Sequence, residues 1–108
     1  MNEIIDAARS HWSRSAKQKK LATVRCSLAF KGRRSFKPPI ALAIDWFEPS
    51  LKRDLDNITA GVKYILDGMV LAGKLTDDSR KYVSRISHSV SLDRYNPRVE
   101  VTVKELNA

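Results

Sequence analysis

Residues 40–78 read IALAIDWFEPSLKRDLDNITAGVKYILDGMVLAGKLTDD, and this stretch decides the fold. Its first eight residues, Ile40–Phe47, are nearly all apolar. A run this short is bounded like a buried strand rather than a helix. Glu48-Pro49-Ser50 breaks it, since proline cannot donate to a sheet ladder. A helix is then expected from about Asp56, whose side chain suits the N-cap. Ile58, Val62, Ile65, Leu66, Met69 and Val70 fall on one face of that helix, at the spacing of a core-facing stripe. Gly73 is placed to close it in the left-handed conformation.

Toward the C-terminus, Tyr82–Leu92 alternates in part, with Val83, Ile86, Val90 and Leu92 on the apolar beat. Asp93–Pro97 forms a turn, and Arg98–Leu106 alternates cleanly at Val99, Val101 and Val103. Two strands joined by a turn follow from this pattern. Toward the N-terminus, residues 3–31 read as helical, with a break near Ser13–Ser15. Ile4, Ala7, Ala8, Trp12, Ala16, Leu21, Val24 and Leu28 keep a spacing of mostly three to four. Gly32 and Pro38-Pro39 end that segment. The expected order is therefore α-β-α-β-β. That is an α+β domain over residues 1–108, with a small mixed sheet and two helices packed on it. Trp46 belongs to the core, and Trp12 belongs to the core or to a stacking surface.

The net charge is +8, and its distribution is more telling than its size. Residues 1–40 hold ten cations against Glu3 and Asp6, whereas residues 41–108 hold ten cations and ten acids. A basic segment this one-sided favours a polyanionic partner, because neutralising phosphates releases condensed counterions. An anionic membrane surface is the weaker competitor, since the segment is not a sharply two-faced basic helix. No apolar run approaches a membrane span, and the chain opens on no signal-peptide pattern. Cys26 is the single cysteine, which excludes an internal disulfide and a multi-thiolate zinc site. A cytoplasmic protein is the expectation.

The chemistry lies in Lys52-Arg53-Asp54-Leu55-Asp56-Asn57 and in Asp77-Asp78. Residues two apart in extended chain point to one side, so the carboxylates of Asp54 and Asp56 can converge. Two such charges repel unless a cation lies between them. A hard divalent ion with oxygen ligands, typically magnesium, meets that demand. The bland readings are an N-cap at Asp56, an ordinary turn at Asp77-Asp78 and charge balance at Lys52 and Arg53. A calcium loop is excluded, because Ile58 stands where an oxygen ligand belongs. Lys52 and Arg53 are placed to hold phosphate oxygens beside the ion. Lys63, seven residues after Asp56, projects from roughly the same side of one continuous helix. His11 and His88 stand alone, and no Ser–His–Asp or Cys–His arrangement is visible.

The stretch RDLDNITAGVKYILDGMVLAGKLTDD resembles the signature of RusA-type Holliday-junction resolvases and their phage-borne relatives. The shared pattern is basic residues, D-x-D-N, a helix with a central lysine and an Asp, then a glycine and a DD pair. The similarity continues more loosely through RVEVTVKEL and covers roughly the last two-thirds of the chain. The resemblance implies a magnesium-dependent endodeoxyribonuclease, with manganese as a substitute, that resolves four-way junctions by paired nicks as a two-fold homodimer. It implies metal binding by Asp54, Asp56 and Asp78, with Asp77 a neighbour. The family's helix lysine falls on Lys63 if a gap is allowed, since the common position, four residues after the second Asp, is Ala60 here. Relatives begin with a strand, which this chain is expected to have shortened or lost. The residues expected to meet DNA are Lys52 and Arg53 with Arg14, Lys17, Lys19, Lys20, Arg33 and Arg34. The alternatives are a non-catalytic nucleic-acid-binding module and a structure-selective nuclease with another substrate.

Overall fold

The structure, a computed structural model, describes residues 2–6 and 16–106. Four strands form one mixed sheet in the order β1-β4-β2-β3. They are β1 (Asn2–Asp6), β2 (Ile40–Glu48), β3 (Val83–Leu92) and β4 (Arg98–Glu105). The helices are α1 (Ala16–Phe30), α2 (Leu55–Thr59) and α3 (Val62–Leu71). β2 runs antiparallel to β4 and parallel to β3, with Ile40 beside Val83 and Glu48 beside Leu92.

The α+β class is as the residue pattern implies, and the element order needs correction. Residues 2–6 are a strand, so among the described residues the order opens β-α and the sheet has four strands, while the expected break near Ser13–Ser15 lies outside them. The cause is tertiary. β1 pairs antiparallel with the free side of β4, Ile5 opposite Val99 and Glu3 opposite Val101. That ladder pairs one side of the β1 backbone, a long-range gain that overrides the local helical spacing. Residues 16–30 of the expected helical segment form α1, whose Phe30 end closes at Gly32 with φ +88°, but its expected stripe residues Leu21, Val24 and Leu28 are exposed and Ala22, Cys26 and Phe30 are buried instead.

Alternation in β2 turns Ile40, Leu42, Ile44, Trp46 and Glu48 inward, and β4 adds Val99, Val101 and Val103. Cys26 and Phe30 from α1, and Ile65 and Met69 from α3, are fully buried over this face. The Phe30 and Phe36 rings meet edge to face at 6.4 Å. α1 and α3 touch where Gly68 lies against Cys26, and a Cβ there would fall 2.6 Å from the Cys26 Cβ and 2.8 Å from the Ser27 amide. Burial pushes the Cys26 thiol up to about 12, which makes it an inert packing group.

The expected single helix is two. α2 ends at Thr59, and amides of Gly61, Lys63 and Tyr64 bond three residues back, across a tightened turn, before α3 proceeds. Leu71 ends α3, and Gly73 takes the expected left-handed conformation at φ +74°. No helix among the described residues is long and apolar enough to cross a membrane.

Candidate metal and nucleic-acid site

β2 delivers the chain to the loop 49–54 at its C-terminal end. Glu48, the last residue of β2, is 6% exposed, a buried acid closing an apolar strand. Its carboxylate meets the Arg53 guanidinium at 3.4 Å, and Arg53 also donates to the Asn57 carbonyl at 3.3 Å. Arg53 thus clamps the loop to the sheet and to the first turn of α2. This assigns it a positioning contact that the sequence pattern did not reveal, and Glu48 was missed altogether. Its signal was an acid on the buried beat of β2.

Asp54, not Asp56, is the N-cap of α2, with extended backbone (φ −74°, ψ 155°) and no capping hydrogen bond from its side chain. Asp56 lies in the first turn and accepts the Asn57 amide at 3.0 Å. Both acids are exposed, as is Lys52 beside them. The carboxylate of Asp54 is therefore not consumed by capping, which leaves two hard oxygen donors at the end of β2. Lys63 pairs with Asp67 at 3.5 Å, one turn along α3, and stays largely solvent-exposed. The tightened turn at 60–61 also ends the regular spacing that would align Lys63 with Asp56.

Asp77 and Asp78 are exposed in the loop between α3 and β3, where Asp77 accepts the Asp78 amide at 2.8 Å. That loop is tied to the opposite end of the sheet. Lys74 accepts the Phe36 amide, Tyr82 accepts the Ile40 amide, and Ser79 accepts the Val83 amide. Since β2 and β3 run parallel, Asp54 and Asp56 follow the end of β2 while Asp78 precedes the start of β3. The length of β2 separates these ends by roughly 26 Å at the usual rise per residue. One chain does not bring the three carboxylates together, and among the described residues no three His, Cys, Asp or Glu side chains gather to hold an ion.

The basic residues divide. Lys19 and Lys20 are exposed on α1, and Lys17 lies on the same helix. Arg14 lies outside the described residues. Arg33 and Arg34 occupy the exposed loop after α1. Arg34 makes a bidentate bridge to Glu105 at 2.9 and 2.8 Å. Glu105 also accepts the Lys37 amide, and these two partners hold its carboxyl down to about 2.

A shallow groove of about 600 Å³ lies beside the Asp54 loop, lined by Pro49, Ser50, Leu51, Lys52, Leu92 and Arg94. It lies where the ends of β2 and β3 are neighbours, the Glu48 carbonyl accepting the Asp93 amide at 2.8 Å. The β3–β4 turn next to it is tightly organised. Asp93 accepts the amides of Tyr95 and Asn96 and bridges to Arg98, whose guanidinium lies 3.9 Å over the Phe47 ring. No protein-family model matches this chain, and no curated protein matches it. What the site does therefore rests on its own residues and their placement.

Proposed function

We propose that the protein is a metal-dependent endodeoxyribonuclease of the resolvase type, acting on branched DNA as a homodimer. One observation carries this reading. The fold holds Asp54 and Asp56 exposed at the mouth of α2, pins their loop through Arg53, and uses the Asp54 carboxylate for no cap. Two close carboxylates without a cation repel each other, and a hard divalent ion relieves that repulsion. The donor set, all carboxylate oxygen, fits magnesium or manganese, with Asp78 as the expected third ligand. Bound there, the ion supplies acidification of water and charge neutralisation at a phosphate. Lys52 stands beside the pair to hold a phosphate oxygen, and Lys19 and Lys20 on α1, with Lys17, supply a basic surface for the duplex arms. Junctions with four arms suit a two-fold protein, because two related strands then meet two related sites.

Within one chain Asp78 lies at the other end of the sheet from Asp54, which favours a second reading, a basic module that binds nucleic acid without cutting it. Nicking of a four-way junction in magnesium, with Asp78→Asn and Asp54→Asn alongside, separates the two. The nuclease reading expects cleavage to fall by orders of magnitude in both variants while junction affinity in calcium holds or rises. Wild-type protein that binds the junction and leaves it intact in magnesium and in manganese establishes the binding module instead.

A further inference from the structure

Glu48 joins two loops at the C-terminal end of β2. Its carboxylate holds Arg53 of the Asp54 loop at 3.4 Å, and its carbonyl accepts the Asp93 amide at 2.8 Å, which ties in the β3–β4 turn. That turn is pinned at further points. Asp93 Oδ1 accepts the amides of Tyr95 and Asn96, each at 3.1 Å. Arg98 donates to Asp93 Oδ2 and to the Asn96 carbonyl, both at 2.9 Å. The braced turn carries Tyr95, which is 96% exposed. The bracing engages the Tyr95 amide and leaves both faces of its ring to solvent.

A single exposed apolar residue is ordinary, and the neighbours of Tyr95 set it apart. Arg94 precedes it and lines the groove of about 600 Å³ with Lys52, Leu51 and Leu92. Leu51 is 87% and Leu92 47% exposed, so apolar side chains wall the groove, and Lys52 and Arg94 are exposed cations on it. Its lining holds no acid. The one acid of the turn, Asp93, is occupied by Arg98. Apolar and aromatic surface beside fixed cations is the chemistry that takes up an unpaired nucleotide strand, whose bases expose their π faces along a charged backbone. In a duplex those faces are hidden in the stack.

We propose that the β3–β4 turn and this groove bind an unpaired DNA strand, with a base stacked on the Tyr95 ring and neighbouring phosphates held by Arg94 and Lys52. This surface is distinct from the lysines of α1. Those meet duplex arms, and the turn meets the strand where pairing ends. Because Glu48 fixes the turn and the Asp54 loop to the same strand end, DNA seated on Tyr95 lies beside that loop. Branched DNA is thereby preferred to plain duplex.

The proposal rests on nucleic-acid binding and holds whether or not the protein cuts. Its test is fluorescence anisotropy of labelled oligothymidylate, and of a duplex of equal length, with the full chain in chelator, where no cleavage enters. Tyr95→Ala should weaken single-strand binding about ten-fold, the usual contribution of one stacked base, and so lower the ratio of single-strand to duplex affinity. Tyr95→Phe should keep the wild-type ratio, since the ring and not the hydroxyl makes the contact. Irradiating the complex with 5-iododeoxyuridine in the oligonucleotide should cross-link Tyr95, identified by mass spectrometry. Tyr95→Ala that binds the single strand as tightly as wild type overturns the proposal. Equal weakening toward single strand and duplex overturns it too, as does a loss in Tyr95→Phe matching that in Tyr95→Ala, or wild-type protein with no affinity for the single strand. Tyr95-dependent single-strand binding, beside a four-way junction left intact in magnesium and manganese, upholds the proposal while the nuclease reading falls. Nicking by wild type, with full single-strand affinity in Tyr95→Ala, keeps the nuclease reading and removes the stacking site.

Discussion

Glu48 shows how a single residue can set a site without belonging to its motif. An acid on the buried beat of a strand is tolerable only with a partner, and Arg53 is that partner. Replacing Arg53 with Ala strands a buried carboxylate, which costs about 1–3 kcal/mol, and frees the loop before Asp54. Urea unfolding of Arg53→Ala should show that loss; an unchanged midpoint means that Glu48 finds water instead. His88 plays a similar part for Trp46, whose buried indole N–H donates to His88 Nδ1 at 2.9 Å. That bond needs the neutral ring, and burial lowers the His88 pKa below 6.5. The unfolded chain therefore binds the proton first, and stability is lost as pH falls below about 6.5. Glu105 acts in a separate window. Its carboxyl is held down to about 2 from 4.5, so its contribution is complete above 4.5 and is lost as pH falls toward 2. Melting temperature followed from about pH 8 to about pH 3 should decline in two stages, with His88→Asn removing the first.

Among the elements, the α1–α3 crossing has the narrowest tolerance. Gly68 lets the helices approach until a Cβ would meet both a side-chain atom and the backbone amide of Ser27. Backbone cannot rotate away as a side-chain tip can. Gly68→Ala gains helix propensity, yet overpacking of this kind costs about 1–3 kcal/mol, and the loss should dominate in thermal and urea unfolding. A variant as stable as wild type would mean that the helices separate freely. The division of α2 from α3 is the other element-level result. A tightened turn at residues 60–61 stands where one regular helix was expected, and it leaves Lys63 bonded to Asp67 rather than aligned with Asp56. Lys63→Ala is accordingly expected to reduce cleavage less than Asp54→Asn does, measured as single-turnover nicking rates.

At the scale of the molecule, the excess charge belongs to one region, since residues 1–40 carry all of the net +8. Lys19 and Lys20 project into solvent from α1. Changing Lys17, Lys19 and Lys20 together to Ala should weaken DNA binding across all sequences. Every phosphate that these lysines no longer neutralise should flatten the log–log salt dependence by roughly 0.9. An unaltered slope would make this a solvated face with no part in binding.

Local structure was legible in the residues alone. Short-range periodicity identified β2, β3 and β4, because side chains two apart share a face whatever the rest of the chain does. In α1 the apolar spacing misled, since Leu21, Val24 and Leu28 are exposed while Ala22, Cys26 and Phe30 face the core. Gly73 was legible as a left-handed terminus, and Trp46 as core. Carboxylates at Asp54, Asp56 and Asp78 were visible as candidates because their residue types and spacing carry the chemistry. Everything that depends on distant partners required the folded chain. β1 became a strand because β4, at the far end of the sequence, offered it a free ladder. Glu48 acquired meaning only when Arg53 folded back onto it. The parallel register of β2 and β3 set Asp54 and Asp78 at opposite ends of the sheet, since a helix returning the chain to start a parallel strand must carry it the whole length of the first.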